Sequence, residues 1–143
     1  MKVSELIGAQ LDYWVARANG AGTDTAKMKD GDDWCAIEMV PNAMKPFPAC
    51  ILGQKVGRGK LPYRSCWFYP STTWVDGGPI IDRERMSFAT MGTGPAGENG
   101  KAPIVAIPEE SRHAMEGPTH LVAAMRAFVA GKFGLEVPDE RAA

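Results

Sequence analysis

Residues 119–134, THLVAAMRAFVAGKFG, decide the fold. Leu121, Val122, Met125, Phe128 and Val129 recur at helical spacing and Phe133 extends the stripe, so the segment is a helix with a broad apolar face. Thr119 is placed to cap it, because a threonine hydroxyl can accept from the free amides of a first turn. Gly134 is placed to end it, since glycine tolerates the left-handed backbone found just past a helix. The same pattern recurs near the other end. Over residues 4–19, Leu11, Val15 and Ala18 line one side and Leu6, Ile7 and Trp14 widen it, with Gln10, Asp12 and Arg17 largely opposite and Gly20 as the stop. Gly8 lowers helix propensity, so the helix starts as late as Ile7.

Between these two helices lie short β-prone runs at 34–40, 65–69, 86–91 and 104–107, separated by proline and glycine. Residues 21–33, 41–63 and 92–103 read as loops, 70–79 as turn chemistry, 108–116 as irregular and 137–143 as a polar tail. Residues 80–85 stay ambiguous, with Pro79 suited to the first position of a helical turn. The expected architecture is α+β, one domain over residues 1–143: a small antiparallel sheet of three to five strands with the N-terminal and C-terminal helices packed on it.

At 143 residues with 45% hydrophobic and 23% charged residues, the chain can build a real core. The net charge of -1 argues against a protein that lives on nucleic acid, and no specific nucleic-acid binding is expected. No apolar run reaches the roughly 20 residues that cross a bilayer, and the first five residues lack a signal peptide's apolar stretch. Three cysteines, Cys35, Cys50 and Cys66, match no thiolate metal spacing and suit a reducing compartment. Cys35 and Cys66 precede or enter apolar stretches and read as small buried hydrophobes. No metal and no cofactor is expected.

The motifs are weak one by one. Residues 92–97, GTGPAG, satisfy GxGxxG, but no helix start follows and Pro95 removes an amide from any phosphate cradle. Residues 39–75 hold no acid and five bases, Lys45, Lys55, Arg58, Lys60 and Arg64. With Tyr63, Trp67, Phe68, Tyr69 and Trp74 nearby they offer phosphate pairing and stacking, yet a solvated, mobile loop at 54–60 beside core aromatics is the better reading. Asp82, Arg83, Glu84 and Arg85 read as an ion-pair cluster, because the arginines would hold both carboxylates ionised. Gly117, Pro118 and Thr119 head the last helix, where free amides attract anions. His120 reads as a surface residue, and His113 lies in a polar loop.

The chain resembles the phage NinX-like family of small phage and prophage proteins. The resemblance is carried by residues 3–16 (VSELIGAQLDYWVA), by Pro70, Ser71, Thr72, Thr73 and Trp74 with residues 77–84 (GGPIIDRE), and by residues 117–126 (GPTHLVAAMR) with Lys132, Phe133 and Gly134. Three departures stand out. His120 replaces a proline, the strand at 104–107 lacks the family's tryptophan, and the basic span at 41–60 is not a family feature. The resemblance implies expression from a phage or prophage and work in the bacterial host cytoplasm, with no enzyme activity. Ser71, Thr72, Trp74, the Gly77 and Gly78 pair, Gly117 and Thr119, with Arg85, suit a polar pocket for a small anionic ligand, a nucleotide included, better than bond cleavage. Two other readings remain: a protein–protein adaptor acting on a host protein through the aromatics and basic loop, and a small hydrolase or transferase using Glu84 or His113. A homodimer is compatible with the size.

Overall fold

The computed structural model describes residues 1–40, 44–56, 64–90, 103–110 and 113–139. Among the described residues three α-helices, α1 (Gly8–Ala18), α2 (Trp74–Arg83) and α3 (His120–Phe133), are combined with six strands. These are β1 (Asp33–Met39), β2 (Pro48–Gln54), β3 (Arg64–Trp67), β4 (Ser87–Thr90), β5 (Ile104–Ile107) and β6 (Met115–Gly117). The fold is α+β, and its strands form two antiparallel sheets, β1-β2-β3 and β4-β5-β6. The first sheet packs on α1, the second packs on α3, and the two helices pack on each other between them. That central position explains α3. Every residue from Leu121 to Ala130 is buried, so its apolar stripe is a full wrap. Four alanines on it, Ala123, Ala124, Ala127 and Ala130, let neighbouring backbone approach closely.

Several sequence expectations need correction. The first helix is split: a 3₁₀ turn at Val3–Glu5 precedes α1, whose N-cap is Ile7. The presumed loop at 41–63 contains β2, the central strand of the first sheet. Pro48 misled there; a proline is tolerated as the first residue of a strand, and the apolar run Ala49, Cys50, Ile51 and Leu52 carries the rest. The turn chemistry at 70–79 hides the start of α2, with Pro79 inside it rather than at its first position. An interior proline forfeits one ladder hydrogen bond, and burial of Gly77 and Ile80 offsets that. The irregular stretch at 108–116 ends in β6, whose Met115 and Gly117 face α3.

Three side chains are also misplaced by pattern alone. Cys66 is exposed, while Cys35 and Cys50 are buried. Lys55 is buried, and its ammonium donates to the carbonyls of Thr25 and Met28, stapling the 25–33 segment to the end of β2. Val137 is buried, and the tail begins as part of a clasp: Val3 N–H donates to Leu135, Val137 N–H to Met1, and the Met1 ammonium to Val137, at 2.9, 3.0 and 2.9 Å. The GxGxxG stretch and most of the 92–103 loop lie outside the described residues, as do Arg58, Lys60 and Tyr63.

Candidate functional site

The three α-helices of the described residues begin at one place. Ile7 and Gly8 from the start of α1, Ser71, Thr72 and Trp74 from the start of α2, and residues 118–122 at the start of α3 line a recess of about 590 Å³. Each helix arrives there incompletely capped. Neither Ile7 nor Thr73 caps with its side chain. Thr73 instead gives its hydroxyl to the Tyr69 carbonyl at 2.9 Å and, more loosely, to Asp76 at 3.4 Å. Thr119 serves two amides of α3: Val122 N–H reaches its hydroxyl at 3.1 Å and Ala123 N–H its carbonyl at 3.0 Å. The amides of His120 and Leu121 have no acceptor among the described residues. Helix N-termini carry partial positive charge, and three of them meet at this opening, the α2 end being offset by Asp76 in its first turn. The lining contains no Asp, Glu, Lys or Arg.

The floor of the recess is built by a contact across 59 residues. Asp12, 2% exposed, accepts the Ser71 N–H on Oδ1 at 2.8 Å. That bond fixes the 70–73 turn against α1. Burial raises the Asp12 pKa from 3.8 to about 6; the Ser71 hydroxyl and amide pull the other way, and the Asp76 carboxylate adds to the rise. Asp76 itself receives the Tyr69 N–H at 2.9 Å. Ser71 is also 2% exposed. Its hydroxyl lies near enough to Asp12 to favour the ionised acid, yet it makes no hydrogen bond among the described residues. A buried, unsatisfied hydroxyl costs about 1–3 kcal/mol unless something completes it. Sequence pattern placed Asp12 on the polar side of its helix, and no local signal reveals a partner so far along the chain.

The predicted site residues divide. Ser71, Thr72, Trp74 and Thr119 come together on the lining. Gly77 and Gly117 sit behind it as packing positions. A Cβ at Gly77 would lie 2.4 Å from the Pro70 carbonyl oxygen, and one at Gly117 would lie 2.5 Å from the Ala123 nitrogen. Gly78 and Arg85 line a separate, shallow cleft with Ile81, Asp82, Met86 and Glu109. Arg85 adopts the left-handed region, φ 50°, and pairs loosely with Glu109 at 3.8 Å. A neighbouring cleft of about 540 Å³ is flanked by Arg83, Glu84, Arg85 and Lys132. There Arg83 bonds Asn19 at 2.8 Å, pairs with Glu84 at 3.4 Å and lies over the Phe128 ring. Glu84 and His113 are not on the recess lining.

Ile7, His120 and Leu121 belong to the lining although sequence reasoning did not select them. The signal available was Gly8, whose φ of 60° turns the chain into α1 beside the opening. Burial pushes the Cys50 thiol up, far from thiolate character. Among the described residues no group of three or more His, Cys, Asp or Glu could hold a metal, and no helix is long and apolar enough to cross a membrane.

Fold and recess together define a small α+β protein with a ligand-sized hollow at convergent helix starts. The family described as Bacteriophage P22, NinX matches residues 2–132, and the chain belongs to that family. No curated protein matches the sequence.

Proposed function

We propose that this protein is a non-enzymatic phage accessory protein that binds a small anionic ligand in the recess, in the setting of the bacterial host cytoplasm. One observation carries the reading. Three helix N-termini meet at one hollow whose lining has no acidic side chain, and Ser71 on that lining has a buried hydroxyl with no partner among the described residues. Amides and hydroxyls in that arrangement solvate an anion without a metal or cofactor. The Trp74 indole at the mouth, 58% exposed, offers a flat surface to a ring attached to the anion, which makes a nucleotide the first class to try. Sequestering a host signalling molecule of that kind would need no catalysis.

The test is thermal unfolding against a panel of nucleotides and inorganic anions. A ligand at about 100 times its Kd stabilises the native state by about 2.7 kcal/mol, a shift of several degrees. A panel that moves nothing removes the reading.

A second reading, an adaptor for a host protein, is favoured by Ile7, Trp74 and Val75, which are 51%, 58% and 86% exposed at or beside the mouth. A pull-down from host lysate that recovers no stoichiometric partner counts against it.

A further inference from the structure

One residue joins the recess to a buried acid. Ser71 lines the hollow, and its N–H is bonded to Asp12 at 2.8 Å. We propose that the recess takes up its anion together with a proton, and that the proton goes to the carboxylate of Asp12. This rests on the anion-site reading above and adds to it a rule for when the site is open.

The chemistry follows from charge. Asp12 Oδ1 holds the backbone N–H of a residue that lines the recess, so an anion there faces an ionised carboxylate across one residue in a poorly solvated setting. Protonating Asp12 removes that repulsion. The proton comes from solvent; no covalent bond to the ligand forms or breaks. Of the titratable groups packed around Asp12, one adds to that repulsion. Asp76 on α2 is a second carboxylate, and Cys50 on β2 is a thiol held neutral by burial. On α3 the buried charge is Arg126, whose Nε and one Nη donate to the carbonyls of Leu6 and Glu116, both at 2.9 Å. An acid poised near neutrality by its surroundings is where such coupling acts within the cell's pH range.

The experiment titrates the full chain with sodium sulfate, which keeps its charge throughout, against sodium chloride at equal ionic strength. Two-dimensional NMR follows the amides of His120 and Leu121 and, separately, the carboxyl carbon of Asp12. Sulfate should bind about tenfold more tightly at about pH 5 than at about pH 8, and saturating sulfate should raise the Asp12 midpoint by about one unit, since linkage makes the two shifts equal. The slope should persist in a His120→Asn background, which removes the imidazole from the mouth, and should vanish in Asp12→Asn. Sulfate binding with an unmoved Asp12 midpoint overturns the coupling and leaves the anion site standing. The carboxyl reading needs no variant, so a poorly folding Asp12→Asn protein does not block the test. No amide shift at any pH overturns both.

Discussion

Burying a carboxyl at position 12 makes stability depend on pH in a direction opposite to that of most acids. The unfolded chain ionises Asp12 near 3.8 and the folded chain near about 6, so between those values the folded state holds more protons. Its contribution is therefore fully present below the lower value and is lost as pH rises through the upper one, about 3 kcal/mol in all. Asp12→Asn keeps an oxygen for the Ser71 N–H but cannot ionise. Urea unfolding should show it about 1–3 kcal/mol more stable than the parent above about pH 7, with the slope between about pH 4 and pH 7 flattened. Asp12→Ala should instead lose about 1–3 kcal/mol near pH 4, because the Ser71 amide is orphaned. Helical spacing correctly put Leu11 and Val15 in the core, yet could not do the same for Asp12. Its burial is caused by a turn 59 residues away, and a polar residue one step off an apolar stripe looks wet by default.

Elements differ in how openly their residues declare them. The start and stop of α3 were legible because Thr119 and Gly134 act locally, the one through Val122 at 3.1 Å and the other at φ 86°. Thr119→Ala should accordingly cost about 1 kcal/mol in denaturant unfolding. The strand at 48–54 and the helix at 74–83 were obscured because Pro48, Gly77 and Pro79 carry strong local preferences that tertiary contact overrides. Gly77 is the clearest case. Its absent side chain, which looks like turn flexibility in sequence, lets α2 lie against the Pro70 carbonyl and the Leu121 side chain. Gly77→Ala must push α2 off both. We expect a loss of about 1–3 kcal/mol, and loosening of the Ser71 turn should appear as faster amide exchange at Ser71 and Thr73. An alanine variant as stable as the parent would show that α2 docks elsewhere.

Across the whole molecule, the part of the recess formed by Ser71, Thr72, Trp74, Pro118 and Thr119 was legible because its hydroxyls, aromatic and helix start were recognisable one by one. Another part, Ile7 and Gly8, was not, because only the pairing of the two ends of the described chain puts it there. Val3 is fully buried and bonded to Leu135, and Leu6 offers its carbonyl to Arg126, so the path from the 3₁₀ turn into α1 is pinned from both sides. The strand-like clasp of Met1 and Val3 with Leu135 and Val137 thus holds one rim of the hollow, although none of those four residues lines it. Deleting residues 135–143 removes three hydrogen bonds and the burial of Val137. At about 1 kcal/mol for each bond and about 1.5 kcal/mol for the side chain, a loss of about 3–5 kcal/mol is expected. The loss should be regional as well as global. Amides 3–8 should exchange much faster in the shortened chain, while those of β1 and β2, which pack on the far side of α1, should change only by the drop in overall stability. Val137→Ala, which keeps the bonds and removes only side-chain volume, should fall about 1–2 kcal/mol below the parent without that regional pattern. Uniform exchange in both variants would mean that the N-terminal rim is held by α1 and Arg126 alone, and that the clasp contributes stability but does not shape the recess.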